Sequence, residues 1–81
     1  MKSREDIIEY ATSPHIELVG NHECVVDGLN GILEYTKDRV KVDLGKINAI
    51  ISGCELSIDS FSKEGAVVCG TIISLEFEGN G

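Results

Sequence analysis

Three cysteines and two histidines are the residues of this chain best suited to metal or nucleophilic chemistry: Cys24, Cys54, Cys69, His15 and His22. His22-x-Cys24 can offer two ligands from one segment, with Cys54 or Cys69 as remote additions. Zinc sites pair their ligands at close spacing, as C-x-x-C or HExxH, and neither spacing occurs. A nucleophilic cysteine needs a neighbouring base and a lowered pKa, yet both histidines fall beside turn residues at strand ends. All three cysteines sit where the apolar alternation points inward, the place of a small buried hydrophobe. The residues therefore predict packing thiols, with no catalytic residue, no metal and no cofactor.

The remaining chemistry is equally sparse. Glu17, Glu34, Asp43, Glu55, Asp59 and Glu76 are dispersed over outward strand positions, as on a solvated face, and no two stand apart as a general acid and base. Gly28-x-x-Gly31 is a turn between strands and not a phosphate cradle at a helix start. Between residues 37 and 46, Lys37, Arg39, Lys41 and Lys46 outweigh Asp38 and Asp43. This small cationic edge reads as a guard against sheet-to-sheet pairing; docking of an acidic partner or headgroup is the alternative.

The elements that would hold these residues are short strands. HIELVG, ECVVDG, GILEYT, RVKVDLG, INAIISG, CELSID and AVVCGTIISLEF alternate apolar with polar and are punctuated by glycine, the pattern of strands with one face on a core. Gly20-Asn21, Asp27-Gly28, Asn30-Gly31, Leu44-Gly45-Lys46 and Ser52-Gly53 are the expected turns. The clearest hairpin runs from Gly31 to Leu44 with Lys37-Asp38 at its tip, which sets Tyr35 against Val40, Glu34 against Lys41 and Leu33 against Val42. Ser60 to Gly65 is the expected longest loop. The last strand places Val67, Cys69, Thr71, Ile73, Leu75 and Phe77 on one face, yet Val68 and Ile72 on the other also need cover, so the strand is expected to be long, central or bent at Gly70. Before Pro14, Ser3 and Asp6 resemble a capping box ahead of Ile7, Ile8, Tyr10 and Ala11, which predicts a helix over residues 4–11. That helix covers an open end of the core, or presents Ile7 and Tyr10 to a partner.

Length and charge bound the rest. At 81 residues the chain forms one domain with a modest core. Seven basic against fourteen acidic residues give a net charge of −7, which repels phosphate backbones and anionic lipid and so disfavours nucleic-acid binding. No stretch approaches the roughly 18 apolar residues of a membrane span, and the acidic N-terminus does not resemble a signal peptide. An odd cysteine count without framework spacing fits a reducing compartment. The expected location is cytoplasmic.

The order of the motifs adds a resemblance. P-H-I-E-L-V-G-N, G-I-L-E-Y-T, I-I-S-G-C-E-L-S-I and V-V-C-G-T-I-I-S-L-E-F, in that order over residues 13–78, resemble the YabP/YqfC family of sporulation proteins of endospore-forming Gram-positive bacteria. The Pro-x-Ile-x-x-x-Gly-Asn start and the Gly-Ile-x-Glu-Tyr centre are closer to its YqfC branch. The resemblance implies a non-enzymatic protein of the mother cell that acts in spore maturation, in coat or cortex formation, beside a membrane protein of the same process. It carries over no catalytic residue.

The expected fold is all-β: six or seven mostly antiparallel strands in meander order, forming a small sandwich or partly open barrel over residues 13–78. A helical segment at 1–12 precedes it and a disordered tail at 79–81 follows. A short β-solenoid is the alternative, since Ile51-Ser52-Gly53 and Val68-Cys69-Gly70 recur. Two unpaired sheet edges and a last strand apolar on both faces predict a homodimer or larger assembly. The expected contacts are Val68 and Ile72, with Ile7, Tyr10, Lys37, Arg39 and Lys41 as further interaction residues.

Overall fold

The structure, a computed structural model, describes residues 14–63 and 65–79. Strands β1 (His15–Val19), β2 (Glu23–Asp27), β3 (Gly31–Tyr35), β4 (Arg39–Asp43), β5 (Ile47–Phe61) and β6 (Gly65–Gly79) form one open sheet in the order β1-β2-β6-β5-β4-β3. Every pairing is antiparallel. The all-β expectation holds, and antiparallel pairing throughout removes the solenoid. Meander order runs from β3 to β6; the β1–β2 hairpin then joins the far side of β6.

The centre is a hairpin of two fifteen-residue strands, β5 and β6, far longer than the usual strand of about 5–6 residues. Strands of this length cannot stay flat, and their register breaks at Ser52/Gly53, Cys54/Ser57 and Ile58/Ser60. Such irregularities let one strand pass from one sheet layer into another. β2 covers only Gly65 to Cys69 of β6, and β4 covers only Asn48 to Ser52 of β5. The sheet thus divides into two four-stranded halves. Val26 and Val68 of one half and Val40 and Ile51 of the other belong to a single buried cluster, so the halves close on a common core.

An approximate two-fold relation exchanges these halves. Ile16, Val26, Ala66 and Phe61 form one cross-strand row; Ile32, Val42, Ala49 and Phe77 form its counterpart. The hairpin tips dock alike. Gly70 and Ile72 donate backbone N–H bonds to the carbonyls of His22 (3.2 Å) and Asn21 (2.7 Å), while Gly53 and Leu56 donate to Asp38 (3.0 Å) and Lys37 (2.6 Å). The sequence carries the same relation, since Ala49-Ile50-Ile51-Ser52-Gly53 and Ala66-Val67-Val68-Cys69-Gly70 occupy equivalent places.

Five local expectations are corrected. Ser52-Gly53 is not a turn: β5 runs on, and Gly53 is there because a Cβ would stand 1.9 Å from the Thr71 carbonyl oxygen. The loop at Ser60 to Gly65 is shorter than expected, because Ser60 and Phe61 belong to β5 and Ser62 and Gly65 exchange backbone bonds of 2.8 and 3.2 Å. In β3 a bulge between Ile32 and Glu34 sets Ile32, not Leu33, against Val42. In β6 the inward face is Ala66, Val68 and Ile72, then Leu75, because the phase shifts at Ile73. The Tyr35–Val40 and Glu34–Lys41 pairs are as expected, and Gly70 bends β6 at φ +131°. Gly79 still pairs with Ile47 and so belongs to β6 and not to a tail. The helix expected over residues 4–11 lies outside the described residues.

Candidate functional site

The cysteines do not share one face. Cys24 is fully buried on β2 between Leu18 and Val68, and burial pushes its thiol up to about 11. Cys54 is exposed and Cys69 half-buried, which corrects the inward placement of both. The register shifts in β5 carry Cys54 outward, while Cys69 stands on the face opposite Val68, where the β2–β6 register is regular. Partial desolvation raises the Cys69 thiol, helped by the carboxylates of Asp59 and Glu23. A raised thiol pKa is opposite to what a nucleophile needs. His15 opens β1 and His22 lies in the β1–β2 turn. Among the described residues, no three His, Cys, Asp or Glu side chains converge as a metal set.

The cationic residues lie on the outer face, and two of them are used internally. Arg39 Nε is 3.5 Å from Glu34 Oε1. Lys41 Nζ is 2.5 Å from Glu78 Oε2, which also accepts a 3.1 Å bond from Asn48 Nδ2. These hydrogen bonds, Lys41's first, hold the Glu78 carboxyl below its ordinary range against a small desolvation. Arg39 and Lys41 stand on β4, second from the edge, so they do not guard an edge strand as the sequence suggested. Lys37 sits at the hairpin tip, where its carbonyl docks on Leu56.

Of the other expected contact residues, Ile7 and Tyr10 lie outside the described residues. Val68 is fully buried and Ile72 nearly so within the chain's own core, which corrects their assignment to an interface. Alternation alone inverted the first half of β6, because Ala66 and Val68 on one face are no more apolar than Val67 and Cys69 on the other.

The exposed apolar residues that the sequence did not single out lie on strand edges. Leu33 at the β3 bulge, Phe61 at the end of β5, and Ile73 and Phe77 on β6 are all more than half exposed. Tyr35, on edge strand β3, reaches across to β5, where its hydroxyl oxygen accepts the Ile58 backbone N–H at 3.1 Å. That bond closes one seam between the halves. The signal for this layout was the Ala-x-x-x-Gly recurrence in β5 and β6, which marks two equivalent bends.

Comparison with known proteins gives one family: the model of the YabP family matches residues 10–81. No curated protein and no solved structure matches the chain. No helix among the described residues is long and apolar enough to cross a membrane.

Proposed function

The chain belongs to the YabP family, a family associated with sporulation, and on that premise we propose that it is a non-enzymatic protein of spore maturation that works through protein–protein contacts. The family match carries this reading. The process is coat or cortex formation, the compartment is the mother-cell cytoplasm, and the partner is a membrane protein of the same process. Two structural observations support a contact role over a chemical one. Among the described residues, the titratable side chains that depart from ordinary values are two thiols held protonated and one carboxylate tied to a lysine, the reverse of a poised acid–base or nucleophile set. The large exposed apolar side chains, by contrast, gather on strand edges, where another chain can add hydrogen bonds as well as area.

Deletion in a spore-forming host tests the reading. Vegetative growth should be unchanged and the yield of heat-resistant spores should fall; normal, heat-resistant spores from the deletion strain would defeat the proposal. Cys24→Ala, Cys54→Ala and Cys69→Ala, singly and each with His22→Ala, should sporulate normally at matched protein level. Loss of sporulation in a variant that still folds would point to an enzyme.

A further inference from the structure

The geometry points to the edge of β6 from Ile73 to Phe77 as the contact through which a second copy of this chain pairs antiparallel, with the two-fold axis at Leu75. This deepens the assembly reading above and rests on it for its role, though not for the contact itself. β2 leaves β6 after Cys69, and the β1–β2 turn holds it only as far as Ile72. Beyond that point β6 is paired, among the described residues, on one side only, with β5.

The approximate two-fold relation makes this edge specific. Ile58 faces Val68 across the central hairpin, and Leu75 faces Ile51, so Leu75 is the counterpart of Ile58. Ile58 directs its N–H away from β6 to the Tyr35 hydroxyl; by the same relation Leu75 directs its N–H away from β5. The residue equivalent to Tyr35 is Leu18, which stands opposite Cys24 as Tyr35 stands opposite Val40, and it has no hydroxyl. Among the described residues, one seam is capped and the other is not. The remaining edges carry the devices that suppress pairing: a bulge in β3, the Tyr35 cap on β5, and Pro14 with Glu17 at β1. The Ile73 to Phe77 segment, I-S-L-E-F, contains neither proline nor cation, and its one irregularity, the shift at Ile73, lies at its first residue.

The segment is also complementary to itself. With the axis at Leu75, the two copies of Leu75 exchange N–H···O bonds, as directly opposed antiparallel residues do. Ile73, 71% exposed, then faces Phe77, 55% exposed, of the other copy, and this happens twice. Ser74 faces Glu76, so a hydroxyl donor meets each carboxylate and no two acids are directly opposed. Moving the axis to Phe77 would set Glu76 against Glu78. The same patch meets itself across a two-fold, as a closed dimer requires. Because each copy carries a net charge of −7, salt should tighten the pairing, whereas docking through the lysines would weaken with salt.

Sedimentation of the full chain at micromolar concentration, at low and high salt, is the first measurement. A dimer that tightens with salt is expected, and a concentration-independent species of 8.7 kDa overturns the contact. Ile73→Lys with Phe77→Lys, both exposed, should fold and run as a monomer; a dimer that persists in this variant overturns the edge in favour of exchanged strands. The register is read by disulfide trapping in a Cys54→Ser, Cys69→Ser background under oxidised glutathione. Ile73→Cys mixed with Phe77→Cys should cross-link, and neither alone should; self-linking of Ile73→Cys overturns the axis at Leu75. Sporulation of the lysine variant separates contact from role. Loss of sporulation with loss of the dimer supports both, and normal sporulation by the monomeric variant overturns the role while leaving the contact standing.

Discussion

At the scale of single residues, the side chains that looked most chemical are the ones the fold neutralises. Cys24 fills a place in the core where its folded thiol titrates near 11, against 9.0 for the ordinary thiol. The sign follows: the unfolded chain ionises first, so stability present at neutral pH is lost as the pH rises from about 9 to about 11. Urea midpoints across that window should fall in the wild type, and less steeply in Cys24→Ala. Glu78 acts at the other end of the scale. Its carboxyl is lowered by Lys41 and Asn48, so its contribution is present above the ordinary glutamate value, roughly 4.3, and is lost as the pH falls through its lower folded value. Glu78→Gln should flatten that part of the acid limb, checked by the same midpoints below about pH 5.

Among elements, the bends of β5 and β6 decide how legible the fold was. The turn at Gly20-Asn21, the Lys37-Asp38 hairpin and the inward pair Cys24 and Val26 could be read because alternation there is unbroken and a slip would bury charge. Beyond Ser52 the reading failed because each bulge shifts the alternation by one position, and Ser52-Gly53, which marks a bulge, has the composition of a turn. The outward Cys54 follows from such a shift, as does the exposure of Leu33 at the β3 bulge, whereas the inverted face at Val67 and Cys69 reflects two faces of equal apolarity. Interaction edges were illegible for a related reason, since a sequence shows which residues are apolar but not which strand lacks a neighbour. Gly70 is held at φ +131° with a Cβ position 2.6 Å from the Glu55 carbonyl oxygen. Gly70→Ala should cost at least about 2 kcal/mol, combining a strained backbone with a clash against main chain. Chemical denaturation measures it, and a cost near zero would mean the bend lies elsewhere. Cys54→Ser and Cys69→Ser, on the outer face of the same bends, should stay within about 0.5 kcal/mol of wild type.

For the molecule as a whole, the two halves are built alike but finished differently, and the difference can be reversed. Equivalent hairpins dock equivalent tips on equivalent bends, and Ala66 and Ala49 occupy the same place in their rows. Tyr35 caps Ile58 on one side, while Leu18, 48% exposed at the equivalent point, offers Leu75 nothing. Leu18→Tyr should therefore supply the missing hydroxyl, because the change enlarges a half-exposed side chain at the place Tyr35 holds in the other half. A bond of this kind contributes about 0.5–1.5 kcal/mol, so the variant should be more stable than wild type by an amount of that order. Tyr35→Phe should lose a similar amount by uncapping Ile58. The two seams lie on opposite sides of the core and share no partner, so the double variant should return close to wild-type stability. Its edge preference, however, should be reversed: with Leu75 occupied and Ile58 free, pairing through Ile73 to Phe77 should weaken. Amide exchange reads this directly. At a dilution where the chain is monomeric, Leu75 should become protected in Leu18→Tyr and Ile58 unprotected in Tyr35→Phe; if Leu75 exchanges as before, the equivalence of the two seams is wrong, and with it the reason for placing the unguarded edge on β6.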